Sequence, residues 1–245
     1  MTGPDVTSHF WIAGKPFFTS TVFVAPPPFV VPSLATEIRA SAALDLREVK
    51  SCSTTLDFFD ADGAKTNTVE IAFPANEVGI LELEPYMAGI KVEAGVQHSH
   101  LSITSPAGTR HLCRLSNGIG VALVQDPLMV RSRESSFIPL VLSAQKEQML
   151  AFVNAGGESA QISCRLFYGN RSPEWNFAIA PFGAKLVSVQ EELLASQDDR
   201  SWEKGNTQAY VRVTARHQAC ISCLIVERVP GESIEADQYR CLVSG

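Results

Sequence analysis

The sequence predicts an all-β chain made of two tandem antiparallel β-sandwich domains related by internal duplication. Three observations carry that reading. Extended runs of roughly five to eight residues recur along the chain with Gly, Pro, Asn and Asp between them, which is the spacing of antiparallel sandwiches. Only residues 190–202 have helical character, with Glu191 and Glu192 early enough to oppose the positive end of a helix dipole. Residues 90–117 reappear, altered, in residues 211–245. Lys91-Val92-Glu93-Ala94 lies over Arg212-Val213-Thr214-Ala215, Gln97 over Gln218, and the run starting at Cys113 over the run starting at Cys241.

Taken in order, residues 10–12, 20–24 and 29–31 are short extended pieces broken by Gly14, Pro16, Pro26-Pro27-Pro28 and Pro32. Residues 17–34 are apolar over a length that would cross a membrane. Their prolines rule out a spanning helix, because each removes a donor and clashes with the preceding turn. An edge strand followed by an extended crossing segment is expected instead. Residues 37–48 alternate through Ile38, Ala40, Ala42, Leu44 and Leu46, and residues 54–59 form a further strand. The turn Asp60-Ala61-Asp62-Gly63 then leads into a returning strand at 68–73. That turn resembles the start of a calcium loop, but the later carboxylates and closing glutamate are missing, so a tight turn with glycine at positive φ is expected. Residues 79–83 and a β-hairpin through 90–117 complete the first unit.

The second unit repeats the order. Strands are expected at 149–153, 160–168, 175–180 and 185–189, joined by turns at 154–158 and 181–184. The helical stretch follows, then strands at 209–215 and 219–227. Asn117-Gly118 and the polar run at 131–136 put the boundary near residues 118–135, giving domains 1–120 and 121–245.

Composition narrows the function classes. The chain has 245 residues, 45% hydrophobic and 19% charged, which is globular rather than disordered, and a net charge of −6 argues against nucleic acid or anionic lipid as a partner. At this length folding buries roughly 70–75% of the surface of the unfolded chain, so core size is not limiting. The first nine residues lack the basic start of a signal peptide, and a cytoplasmic protein is expected. Cys52, Cys113, Cys164, Cys220, Cys223 and Cys241 lack the dense spacing of a disulfide scaffold and are expected as buried thiols. Cys220 and Cys223 have C-x-x-C spacing, but residues three apart on a strand point to opposite faces and would not share a ligand.

The pattern with most chemical content lies in the 90–117 hairpin: His98 and His100 on one strand, His111 and Cys113 on the next. Alternation puts each pair on one face, and a turn centred on Ser105-Pro106 or Pro106-Ala107 would bring all four together. Imidazole and thiolate are natural zinc ligands, and opposed strand positions lie roughly 5 Å apart, so a structural or catalytic zinc site is one reading. The other is that the histidines decorate a sheet surface and Cys113 fills the core. In the overlay above, Ala219 and Ile221 stand where His98 and His100 do, so the fold itself does not demand a metal. A catalytic site would also want a carboxylate, and Glu93, the nearest candidate, has the opposite strand parity from His98. Trp11, Trp175, Trp202, Phe58, Phe59, Phe167 and Tyr168 offer a stacking platform for a carbohydrate or a buried aromatic core. No nucleophile elbow and no phosphate loop is present.

The second unit carries Phe152-Val153-Asn154-Ala155-Gly156-Gly157-Glu158-Ser159-Ala160, a polar-apolar strand ending Leu166-Phe167-Tyr168, and then Ala180-Pro181. The first unit carries Val96-Gln97-His98-Ser99-His100-Leu101. These strings resemble the small sensory rhodopsin transducer family. The resemblance covers about half of the chain in patches, and this chain departs from the family in its two units and its proline-rich N-terminal segment. It implies a cytoplasmic, homo-oligomeric β-sandwich without enzymatic activity, acting as an adaptor or ligand sensor. A non-enzymatic binding or scaffolding protein is therefore expected, with a zinc-dependent enzyme and a carbohydrate-binding module as alternatives.

Overall fold

The structure, a computed structural model, describes residues 5–15, 17–26, 51–74, 77–88, 90, 92–93, 96–117, 121–124, 129–131, 135–196, 200–216, 220–229 and 238–242. The expected strands at 29–31 and 37–48 lie outside these residues. The described chain is dominated by antiparallel strands in four sheets, numbered here in the order in which they stack.

Sheet 1 has the order β5-β2-β8-β9, from β2 (Thr19–Ala25), β5 (Gly79–Glu82), β8 (Arg110–Ser116) and β9 (Val121–Val124). Sheet 2 has the order β1-β7-β3-β4, from β1 (Val6–Ala13), β3 (Ser51–Phe59), β4 (Lys65–Pro74) and β7 (Val96–Ser105), with the two-residue β6 (Val92–Glu93) also on β7. Sheet 3 runs β15-β12-β17, from β12 (Glu147–Asn154), β15 (Ala184–Ser188) and β17 (Cys220–Val229). The far edge of β17 carries both β10 (Met129–Arg131) and β18 (Gln238–Leu242). Sheet 4 has the order β11-β16-β13-β14, from β11 (Ser135–Leu142), β13 (Ala160–Phe167), β14 (Glu174–Ile179) and β16 (Thr207–Arg216).

Side-chain alternation decides the stacking. One face of sheet 2 sends Phe10, Leu56, Phe58, Leu101 and Ile103 against Val22, Val24, Cys113 and Leu115 of sheet 1. Its other face carries Trp11 and Ala13, which share the same buried cluster with Met149, Ala151, Val153, Ala184, Leu224 and Val226 of sheet 3. Alternate residues of sheet 3, including Leu150, Phe152, Cys223 and Ile225, turn the opposite way into a second cluster with Ile138, Ile162, Leu166 and Val211 of sheet 4. The four sheets therefore stack 1-2-3-4, and β12 and β17 are buried on both faces. That is why their sequences run apolar without alternation, as strands buried on both faces do.

Chain order and sheet membership repeat. β1, β2, β3, β4, β5, β7, β8 and β9 fall in sheets 2, 1, 2, 2, 1, 2, 1 and 1; β11 to β18 fall in sheets 4, 3, 4, 4, 3, 4, 3 and 3. By position, β7 corresponds to β16 and β8 to β17. The sequence overlay is corrected by one strand: it set β7 against β17 and Cys113 against Cys241. Register instead matches Cys113, opposite Val22, with Cys223, opposite Phe152.

Other expectations change with it. The 90–117 stretch is no hairpin, because β7 pairs with β1 and β3 while β8 pairs with β2 and β9, so the Ser105–Arg110 connection arches between two sheets. Residues 20–24 are not an edge, since β2 is hydrogen-bonded on both sides; β1 is the edge of sheet 2. The polar run at 131–136 contributes to β10 and β11, and β9 (Val121–Val124) pairs with β8. The helix is shorter than expected. It runs as α1 (Val189–Ala195), with the Ser188 hydroxyl accepting from the Glu191 N–H at 3.2 Å, and a separate 3-10 turn covers Arg200–Lys204. No described helix is long and apolar enough to cross a membrane.

Candidate functional site

Alternation on β7 places His98 and His100 on one face, as its sequence predicts, and that face looks toward sheet 3. His111 and Cys113 share a face of β8 and point into the core between sheets 1 and 2. The two pairs thus lie on opposite sides of sheet 2, and the expected convergence of His98, His100, His111 and Cys113 is corrected. Among the described residues no group of three or more His, Cys, Asp or Glu is arranged to hold a metal ion.

Each residue is occupied in packing. His111 bonds to Ser8 Oγ through Nδ1 and to Ser105 Oγ through Nε2, both at 2.9 Å, and Ser105 continues to Thr54 Oγ1 at 2.9 Å, a polar seam through the core between sheets 1 and 2. His98 is buried and stacks on Trp11 with ring centroids 5.8 Å apart. Cys113 is fully buried.

His100 does something the sequence did not suggest. Its Nδ1 lies 2.7 Å from the Phe182 carbonyl oxygen, and its Nε2 lies 3.0 Å from Nδ1 of His9. A carbonyl oxygen only accepts, so His100 Nδ1 carries the hydrogen. A neutral His100 then accepts at Nε2, which fixes His9 as the donor through Nδ1–H. The chain runs from His9 to His100 to the backbone of Phe182, across the boundary between sheets 2 and 3. Burial pushes His100 down to about 3, against the pull of the Phe182 carbonyl and with a small push from His9; burial also lowers His9.

Aromatic rings reinforce the same line. Phe182 stacks on Phe59 at 5.2 Å, Phe59 on His100 at 5.0 Å, and His9 tilts against His100 at 5.1 Å. The Phe182 backbone is held at φ 56°, uncommon for a residue with a side chain, and needs support. Asn154, fully buried at the end of β12, supplies it. Its Nδ2 donates to the carbonyls of Glu158 (2.7 Å) and Ala180 (2.9 Å), its Oδ1 accepts from Gly156 N–H (3.0 Å), and the Gly156 carbonyl accepts from Phe182 N–H (3.1 Å). The 60–63 turn of the first half interlocks with this one. Ala184 N–H donates to the Ala61 carbonyl at 3.2 Å, and Gly63, at φ +82°, packs so close that a Cβ there would sit 1.9 Å from the Pro181 oxygen.

A counterpart of this line occurs in sheet 4. The Thr7–Thr104 hydroxyl pair of sheet 2, 3.1 Å apart, matches Ser135–Thr214 at 3.2 Å. Counting from those pairs, His9, His100 and Phe59 correspond to Phe137, Tyr210 and Phe167. The ring geometry matches too: Phe167 stacks on Tyr210 at 4.7 Å and Phe137 tilts against Tyr210 at 5.9 Å. Here the rings face outward. The expected stacking platform is corrected accordingly: Trp11, Trp175, Trp202, Phe58, Phe59 and Tyr168 are buried, and only Phe167 of that set lies on the outward face. A shallow recess of about 590 Å³ adjoins it, lined in part by Pro139, Phe167, Tyr168, Arg171 and Tyr210.

His9, Phe182 and Asn154 were missed in the sequence. Alternation of His9 with Trp11 on β1 is the one available signal for His9; nothing local announces that a turn more than eighty residues beyond His100 closes over it. No family model matches this chain, and no curated protein matches it either.

Proposed function

We propose that this chain is a non-enzymatic scaffold or adaptor, two β-sandwiches related by internal duplication, that acts by docking other macromolecules on its sheet faces. The observation carrying this reading is where chemistry and apolar surface fall. The histidines with catalytic or ligand potential are spent on fastening layers, while exposed large apolar side chains gather on the two outward sheets. The sensory rhodopsin transducer resemblance points the same way, toward a homo-oligomeric sensory adaptor. A reducing compartment such as the cytoplasm suits the chain, since Cys52, Cys113, Cys164, Cys220 and Cys223 are thiols.

The test is capture of binding partners on immobilised full-length protein, together with elemental analysis of protein purified without a histidine tag. Retention of a discrete partner that is lost on charge substitution of an outward sheet face, with no stoichiometric metal, supports the scaffold. Stoichiometric zinc lost in His98→Ala or His111→Ala overturns it in favour of a metal protein. A carbohydrate-binding reading is favoured by one observation, the outward Phe137, Tyr210 and Phe167 beside the recess. Glycan-array binding abolished by Tyr210→Ala would establish it.

A further inference from the structure

We infer that the chain stacks head to tail on a second copy of itself, with the outward face of sheet 4 in one copy covering the outward face of sheet 1 in the next. This deepens the scaffold reading, on which it rests, by naming one occupant of the outward faces.

The contact inside the chain is the template. Sheet 2 meets sheet 3 through unlike faces, so the two halves are joined heterologously and not through a shared two-fold face. By strand order, sheet 4 is the counterpart of sheet 2 and sheet 1 the counterpart of sheet 3. Among the described residues, what remains uncovered is therefore one face of each kind, the two halves of the contact already made once. A heterologous contact of this sort adds copies in succession until a ring closes or a filament grows.

Side chains support the match. In sheet 2 the line of His9, His100 and Phe59 is closed over by Phe182, in the turn between β14 and β15. In sheet 4 the corresponding line has Phe137 60% and Tyr210 43% exposed. The strand that follows the closing turn carries Ala184 in sheet 3, opposite Val153. The corresponding strand of sheet 1 carries Ile80, opposite Phe23 and 62% exposed. Val78, in the connection between β4 and β5 that corresponds to the Phe182 turn, is exposed as well, as are Val121 and Leu123 of β9. Apart from Leu194 on α1, every exposed large apolar side chain among the described residues belongs to one of these two ends. Terminal layers of a repeat stack that end in water are ordinarily polar on the outside; among polar neighbours such as Arg165, Glu174, Arg212 and Arg114, these two also leave large apolar side chains exposed.

The test uses sedimentation velocity on the full chain from nanomolar to high micromolar concentration, with two single variants, Tyr210→Glu on sheet 4 and Ile80→Glu on sheet 1. Both positions are exposed, and circular dichroism with a thermal melt verifies folding. Phe137→Glu and Leu123→Glu replace them if either unfolds. The wild-type chain is expected to gain mass with concentration, and each variant alone to remain a monomer. An equimolar mixture of the two should double in mass and stop there, because each copy retains the face the other lacks. A single variant that still dimerises would mean like faces pair, and a mixture that stays monomeric would mean the two faces do not meet; either overturns the inference. A wild-type chain that is monomeric throughout also overturns it while leaving the scaffold reading to the partner-capture and metal assays.

Discussion

Replacing His100 with glutamine should flatten the acid side of the stability profile. Burial holds the folded-state value of His100 at about 3, against 6.5 for a free imidazole. A base whose folded value is depressed stays neutral in the native chain while the unfolded chain takes up a proton. Its contribution is whole above 6.5, is lost as pH falls from there toward about 3, and changes no further below that. The slope inside the window is about 1.4 kcal/mol per pH unit, so moving from about pH 7 to about pH 5 costs about 2 kcal/mol through this residue. His9, also lowered by burial, adds in the same direction. Glutamine keeps a polar amide of similar reach but cannot titrate. Urea denaturation of both proteins at the two pH values isolates the term, since His9 remains in each. The wild-type chain should lose about 2 kcal/mol more than His100→Gln. Parallel losses would refute the buried neutral imidazole. So would nitrogen chemical shifts showing His100 protonated at Nε2, because the bond to the Phe182 carbonyl requires the hydrogen on Nδ1.

Three further outcomes test the same contact and the cores around it. Gly63→Ala should destabilise by about 2–4 kcal/mol in a thermal melt, because its Cβ meets the Pro181 oxygen at a backbone angle alanine resists; an unchanged melt would show that the two turns do not interlock. Asn154→Ala should cost about 2–4 kcal/mol and disturb the Phe59–Phe182 stack, read as a shift of both ring resonances, since the Ala180 and Glu158 carbonyls lose their shared donor. Cys164 and Cys223, raised by burial first of all, should ignore thiol reagents until the chain unfolds, with half-exposed Cys220 reacting before them; labelling of Cys164 in the native chain would contradict this.

What the sequence determined by itself is local: strand period, turn chemistry and the scarcity of helix. Alternation and the Gly, Pro and Asn punctuation located β3, β4, β13, β14 and β16, and placed His98 with His100 and His111 with Cys113 on common faces. The same signals failed at β11. Residues 137–142 are apolar on both faces, so alternation does not mark them as a strand; the strand accommodates Pro139 because β11 lies at an edge. They also misjudged the 105–110 connection, since a short turn between two strands reads the same whether it closes a hairpin within one sheet or arches between two. Only tertiary structure decided that β7 and β8 part company, because that choice depends on which strands from distant sequence claim their free edges: β1 and β3 for one, β2 and β9 for the other. The line from His9 through His100 to Phe182 depends on a further layer of the same decision. Each residue's face is fixed by a two-residue period, but what lies opposite that face is fixed by how whole sheets stack, and burial between them is what keeps His100 neutral.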